Sequence, residues 1–130
     1  AKLGFAICYD VRFPHLFREE ALAGAEILTA PAAFTKQTGE AHWHALQRSR
    51  AIESGAYMIS AAQAGVHEDG RETFGHSMIV DPWGHMMTVA NGTEPEIIYA
   101  DIDVSQSAAA RAKIPNLKNA RAFSVETAGV

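Results

Sequence analysis

Short hydrophobic runs separated by helical or polar segments open the chain. Residues 3–7 are mostly apolar and predict a short buried strand, and residues 26–30 predict a second strand. Between them, residues 15–24 mix apolar and charged positions in a pattern that predicts a helix, and residues 32–39 are predicted to be a loop. A strand, a helix and a second strand within about 30 residues have the size of a parallel βαβ unit.

The strongest helical pattern covers residues 40–55. On the predicted helix, the polar side chains of Gln47, Arg48 and Arg50 are expected to face water. The apolar side chains that recur at near-helical spacing are Trp43, Leu46, Ile52 and Ala56.

Further strands and turns follow this helix. Residues 57–64 are a continuous apolar run, which predicts a strand buried on both faces, and residues 66–72 are predicted to be a polar turn region. Residues 76–80 and 85–90 predict a hairpin, because the tetrapeptide DPWG at 81–84 has the residues typical of a β-turn.

The last third of the chain is predicted to hold a strand at residues 96–102 and a short helix at 104–112. We therefore divide the chain into a domain part, residues 1–112, and a polar C-terminal tail, residues 113–130. The tail is either a solvated chain end or an arm that packs on a partner in an oligomer.

These elements predict a mixed α/β fold, with a mixed sheet and helices on one face. The opposite face would then need a cover, which a second sheet from a further segment or from a partner would supply. The chain starts at Ala1, without Met, and enters a strand almost at once, so we expect it to be a segment of a longer protein.

Composition and charge narrow the function classes. Lys and Arg total 11 and Asp and Glu total 15, a formal net charge of −4 without a basic block, which argues against a nucleic acid or an anionic membrane as partner. The single cysteine excludes an internal disulfide framework and predicts a reducing, cytoplasmic location. No apolar run approaches the roughly 18 residues of a membrane span.

That cysteine, Cys8, lies directly after the first predicted strand and before the first predicted helix. A sharp strand-to-helix break holds a side chain out into a cleft, and the amides of a first helical turn favour the reactive thiolate form. Cys8 is therefore a candidate nucleophile. The alternative is a small buried hydrophobic side chain.

An ordered set of motifs extends from Cys8 across most of the chain. In sequence order they are CYDVRFP (8–14), AGAEIL (23–28), PAAFT (31–35), HW (42–43), RSRAIE (48–53) and GHSMIVDPWG (75–84). Together, over residues 3–104, they resemble the nitrilase superfamily of carbon–nitrogen hydrolases. Within it the chain is most similar to the Nit-type amidases, which include ω-amidases and deaminated-glutathione amidases.

The resemblance implies half of an α-β-β-α sandwich and a Glu-Lys-Cys triad, in which Cys8 is the nucleophile and the backbone N–H of Tyr9 an oxyanion donor. In the family the Glu and Lys precede the cysteine, so this chain would correspond to the C-terminal half only. The implied reaction is hydrolysis of a small carboxylated amide through a thioester, releasing ammonia, without a cofactor or metal. We expect the chain to be inactive alone and to need the N-terminal half of the same domain, within a homo-oligomer.

Three further residues are candidates for substrate binding. Arg12 lies four residues after Cys8, and its guanidinium could clamp a substrate carboxylate; a structural ion pair, for example with Asp10, is the alternative. Phe34 and Thr35 follow the second strand and should share the strand-end edge with Cys8, where α/β sheets bind ligands. Loop packing is the alternative for both.

Other polar clusters predict no chemistry. His42 and His44 diverge on a helix, so they indicate no metal site. Arg50 and Glu53 are spaced to pair on one helix, and Glu53 is not assigned as the base because the family's base precedes the cysteine. Two other function classes stay open: a non-catalytic half-domain that scaffolds an oligomer, and a redox-sensing thiol, which the lack of a resolving cysteine disfavours.

Overall fold

The computed structural model of this chain describes residues 1–127. These residues form seven strands: β1 (Leu3–Phe5), β2 (Ile27–Thr29), β3 (Tyr57–Ser60), β4 (Ala64–Val66), β5 (Glu72–Phe74), β6 (Met78–Val80) and β7 (Met86–Val89). They also form five α-helices: α1 (Pro14–Leu22), α2 (Lys36–Thr38), α3 (His44–Ser54), α4 (Ser105–Lys113) and α5 (Asn116–Asn119). A 3₁₀ helix covers Cys8–Arg12, and a π-helical turn, Gly39–Trp43, leads from α2 into α3.

Five strands form one mixed sheet in the order β1-β2-β3-β6-β7. The first three are parallel, and β6 and β7 continue the sheet in antiparallel fashion. The connections between the parallel strands carry α1 and α3, as a βαβ pattern requires. All three parallel strands therefore end at the same edge of the sheet, next to the start of β6.

One face of the sheet holds the core. Leu28, Met58 and Val80 lie in register across β2, β3 and β6 and are fully buried. Phe17 of α1 and Ala51 of α3 belong to the same cluster, so both helices cover this face. Burying each large apolar side chain stabilises the fold by about 1.5–3 kcal/mol, which fixes the strands and their shared edge.

The opposite face is open at its β1 side. The strand predicted at residues 3–7 is confirmed as β1, but the prediction that it is buried is wrong, because Leu3 and Phe5 are 50% and 74% exposed. Among residues 1–127, β1 pairs with β2 alone, so it is an edge strand. Alternation then places one of its faces on the core and the other in solvent.

The helix predicted at residues 40–55 is confirmed as the π-helical turn and α3, ending where Gly55 adopts a left-handed φ of 54°. Its predicted polar face is partly wrong. Arg48 is exposed, but Gln47 and Arg50 are buried because each finds a buried partner. The Ser60 hydroxyl donates to the Gln47 side chain at 2.7 Å, and Arg50 bonds a backbone carbonyl.

The hairpin predicted at residues 76–90 is confirmed as β6 and β7, closed by the hydrogen bond from Gly84 N–H to the Asp81 carbonyl at 2.9 Å. Strands β4 and β5 form a second hairpin around the predicted polar turn. The strand predicted at residues 96–102 is wrong, since this segment pairs with no strand of residues 1–127.

The C-terminal segment is anchored near its start. The helix predicted at residues 104–112 is confirmed as α4, and its Ser107 hydroxyl donates to the Glu26 carbonyl at 3.1 Å. Asn116 of α5 donates to the Glu53 carbonyl at 2.6 Å. Residues 120–127 are exposed, and residues 128–130 of the predicted tail lie outside the described residues. No helix in the described part is long and apolar enough to cross a membrane.

Candidate functional site

Cys8 lies just beyond the end of β1, with a strained backbone. Its φ of 50° is in the left-handed region, which is uncommon for a residue other than glycine. Its N–H donates to the Pro31 carbonyl at 2.8 Å, in the segment that follows β2. Such strain persists only where the surroundings hold it in place, and it is concentrated at functional sites.

The turn that follows Cys8 is not the start of α1. Residues Cys8–Arg12 form a short 3₁₀ helix, and Phe13 separates it from α1, so the first helical turn after Cys8 belongs to this 3₁₀ helix and not to the helix predicted at residues 15–24. The Ile7 N–H donates to the Asp10 carboxylate at 2.9 Å, and the Asp10 N–H donates to the Ile7 carbonyl at 3.0 Å. Because Tyr9 is in the first turn, its N–H has no acceptor within the helix.

A cavity of about 510 Å³ opens beside Cys8. Its walls come from the segments after β1, β2 and β3 and before β6, that is, from the shared strand edge. Ligands commonly bind outside the carboxyl ends of parallel strands in such sheets. The lining is mostly small and apolar: Ile7, Cys8, Pro31, Ala32, Ala33, Ala61, Ala62, Gln63 and Ser77.

Arg12 is supported by aromatic rings. Its guanidinium carbon lies 5.0 Å from the Phe34 ring centroid and 5.5 Å from that of Tyr9. Both terminal guanidinium nitrogens are 3.4 Å from His42 Nδ1. Among residues 1–127 no carboxylate forms an ion pair with Arg12, and the Asp10 carboxylate is used by the 3₁₀ turn instead.

Phe34 lies beside Arg12, and none of Arg12, Phe34 and Thr35 lines the Cys8 cavity. Phe34 is 7% exposed and packs edge-on against Trp43, with ring centroids 5.1 Å apart. Thr35 is exposed and caps α2, because its hydroxyl accepts from the Thr38 N–H at 3.4 Å. Their roles in substrate binding stay predictions.

The sequence patterns missed Gln63 and Ser77. Both line the Cys8 cavity and also a second cavity of about 490 Å³, which lies along the same strand edge towards β7. The Ser77 hydroxyl accepts from the Ala62 N–H at 2.9 Å, which ties β6 to the end of β3. Gln63 follows β3, so the strand-end argument used for Phe34 could have found it.

The second cavity is bordered by histidines. His76 has a φ of 60° and bonds the Phe74 carbonyl through Nδ1 at 2.6 Å. The pKa of His44, whose ring lies 5.6 Å from that of His76, is lowered by burial and by the neighbouring imidazole. Within residues 1–127, no three His, Cys, Asp or Glu side chains are grouped closely enough to hold a metal ion.

Comparison with known proteins gives the relationships of the chain. Residues 1–112 match the family model described as carbon-nitrogen hydrolase. The rat protein named deaminated glutathione amidase is 50% identical over 121 residues, which cover 92% of this chain and 36% of the rat protein. The chain thus spans well under half the length of such curated relatives, for example 39% of the Dictyostelium discoideum deaminated glutathione amidase.

Solved structures show the same likeness. The crystal structure of the Caenorhabditis elegans NitFhit protein has a TM-score of 0.88 at 44% identity, covering 92% of this chain and 29% of that one. A variant of the Nesterenkonia amidase has a TM-score of 0.73 at 28% identity, covering 92% of this chain and 41% of that one. That structure shows covalent addition of an acetamide moiety at the active-site cysteine.

The likeness confirms the predicted fold class, a nitrilase-like mixed sheet with helices on one face. The matched family covers the motifs from Cys8 to Gly84 that suggested it. The chain belongs to the carbon–nitrogen hydrolase family, the nitrilase superfamily.

Proposed function

We propose that this chain carries the cysteine nucleophile of an amidase that hydrolyses a small carboxylated amide. The observation that carries the proposal is the strained backbone of Cys8 at the wall of a cavity on the strand-end edge. The relatives named deaminated glutathione amidase, at 45–50% identity, support amide hydrolysis as the reaction.

The proposed reaction proceeds through a thioester. The Cys8 sulfur gives its proton to a base and attacks the amide carbonyl carbon, whose oxygen becomes negative and accepts the Tyr9 N–H. The carbon–nitrogen bond then breaks, and the nitrogen takes the proton from the base and leaves, as ammonia from a primary amide or as an amine from a peptide-like amide. Water attacks the thioester, which releases the carboxylic acid and restores the thiol.

In this proposal the base is the family's Glu, and its Lys is the second oxyanion donor. Both would come from chain outside these 130 residues, as the resemblance implies. The remaining partners are the N-terminal half of the domain and further copies of the protein. A free nucleophilic thiol works under reducing conditions, so the proposal includes a cytoplasmic location.

The second cavity favours an extended substrate over a short ω-amide. It shares Ala62, Gln63 and Ser77 with the Cys8 cavity, so a substrate held at Cys8 can continue along the strand edge towards His76. From β1 to β6 this edge crosses three strand spacings, about 14 Å. A peptide-like amide such as deaminated glutathione has the length to use both cavities, whereas 2-oxoglutaramate fills the first alone.

The test compares these two amides with the intact protein and its Cys8→Ala variant. Both amides give 2-oxoglutarate on hydrolysis, so release of this acid measures turnover of each. It should occur with the wild type, with the larger kcat/KM for deaminated glutathione, and should fall at least about 10³-fold in the variant. A rapid quench followed by peptide mass mapping should find the acyl group on the Cys8 peptide.

Undiminished turnover by Cys8→Ala would reject the nucleophile. An intact wild type that hydrolyses neither amide, and whose Cys8 reacts with iodoacetamide no faster than an ordinary thiol, would favour the non-catalytic scaffold. A larger kcat/KM for 2-oxoglutaramate would reject only the extended substrate.

A further inference from the structure

A buried arginine on α3 bonds the turn that carries the candidate nucleophile. We propose that Arg50 is a positioning residue: it holds the Cys8–Arg12 turn so that Cys8 keeps its strained conformation. The inference rests on the proposed function, because it assigns a role to a residue that supports the same site without touching the substrate.

The contacts of Arg50 are specific and buried. Arg50 is only 5% exposed, and its Nε donates to the Val11 carbonyl at 2.9 Å. A terminal nitrogen donates to the Glu53 carboxylate at 2.6 Å, which balances the charge. Its guanidinium carbon lies 6.0 Å from the ring centroid of the buried Phe17, so the guanidinium faces the core.

The sequence shows why the turn needs this donor. In a 3₁₀ helix the carbonyl of one residue accepts from the N–H three residues later. For Val11 that residue is Pro14, which has no N–H. Val11 is completely buried, and a buried carbonyl without a donor is costly, so Arg50 supplies the bond that the backbone cannot.

The turn is thus held at both ends. At its start the Pro31 carbonyl accepts the Cys8 N–H, and the Asp10 carboxylate accepts the Ile7 N–H. At its end, the hydrogen bond from Arg50 to the Val11 carbonyl connects the turn to α3. If this hydrogen bond is lost, the turn can relax, and the Cys8 sulfur and the Tyr9 N–H then shift together relative to the cavity.

The chain offers a matched control on the same helix. Arg48 also donates through Nε to a backbone carbonyl, that of Gly84 at 2.8 Å, but in the turn between β6 and β7. Lysine at either position keeps the charge and loses the planar donor. An effect seen in Arg50→Lys and not in Arg48→Lys is therefore not a general consequence of losing a guanidinium on α3.

The experiment measures amide turnover and Cys8 alkylation in the intact protein, well below the melting temperature. In Arg50→Lys we expect kcat to fall about 10²-fold with KM changed less than about threefold, since a misplacement of about 1 Å costs this much. The rate of iodoacetamide labelling of Cys8, followed by peptide mapping, should change in parallel. Arg48→Lys should match the wild type in both.

Wild-type kcat and Cys8 labelling in a folded Arg50→Lys variant would overturn the proposal. So would losses that only match the fraction of unfolded protein measured by circular dichroism. If Arg50→Lys does not fold, Glu53→Gln keeps the Val11 bond and weakens the orientation of Arg50; it should lower kcat by a smaller factor, and an unchanged kcat overturns the proposal. If the wild type hydrolyses no amide, the proposed function fails, while the labelling rates still decide the role of Arg50.

Discussion

Arg12 lies over the rings of Phe34 and Tyr9, and its terminal nitrogens approach the His42 imidazole but no carboxylate of residues 1–127. A guanidinium above an aromatic ring is attracted through its face, so its in-plane N–H groups can still form a bidentate pair with a carboxylate. The ring of Phe34 is buried and rests on Trp43, so the support for Arg12 is rigid. This geometry favours the proposed substrate clamp over a structural ion pair.

We therefore expect Arg12→Lys to raise KM for carboxylated amides at least about tenfold, since a hydrogen bond to a charged group contributes about 1.5–3 kcal/mol. The value of kcat should change little. Steady-state kinetics of the intact protein with a carboxylated amide and with an uncharged amide of equal length make the comparison. An equal rise in KM for both amides would show that Arg12 does not recognise the carboxylate.

At the residue scale, the motif at residues 8–14 singled out Cys8, which lines the cavity in the structure. This was possible because the motif is local in sequence. The burial of Gln47 and Arg50 could not be predicted from helical periodicity, which assigns polar residues to water. Their partners, Ser60 and Val11, lie on other elements and become neighbours only when the sheet and α3 pack together.

At the scale of elements, the start of α3 and the β4–β5 hairpin meet through a histidine. The ring of His44 packs edge-on against Phe74 at 5.7 Å and against His76 at 5.6 Å. Burial, and then the neighbouring His76, lower the pKa of His44 below its usual 6.5. The protonated form therefore favours the unfolded chain.

The lowered pKa of His44 makes the free energy of unfolding depend on pH. The folded pKa lies below the unfolded one, so this contribution to stability is complete above pH 6.5 and is lost as the pH falls through 6.5 towards the folded pKa. The free energy of unfolding, measured in urea between about pH 7.5 and pH 5, should fall more in the wild type than in His44→Asn. Identical curves for wild type and His44→Asn would contradict this account.

Elements with a strong local sequence pattern could be predicted, whereas strands that depend on pairing with a distant strand could not. The DPWG turn fixes the β6–β7 hairpin from residues that are adjacent in sequence. Residues 96–102 have the apolar character of a strand, but a strand also needs a partner edge, and none of the described residues supplies one. The apolar run at 57–64 continues past the end of β3 at Ser60 into segments that line the cavity.

At the scale of the whole molecule, the sheet face at β1 exposes large apolar side chains to solvent. Leu3 and Phe5 of β1 are 50% and 74% exposed, and Ile7, two residues beyond the end of β1, is 66% exposed. A contiguous apolar patch beside an unpaired strand edge favours association. We propose that a second sheet from the rest of the protein covers this face, as the resemblance to the nitrilase sandwich implies.

The 130-residue chain expressed by itself should therefore associate, with a mass by light scattering above the 14.0 kDa of one chain. Phe5→Glu should shift it towards the monomer, because a charge at the centre of the patch opposes burial. Phe123 is a matched control, since it is 86% exposed but lies in the C-terminal tail. If Phe123→Glu restores the monomer and Phe5→Glu does not, the tail is the associating arm and the open face is not the interface. A monodisperse wild-type monomer would contradict both interpretations, because neither the face nor the tail would then need a partner.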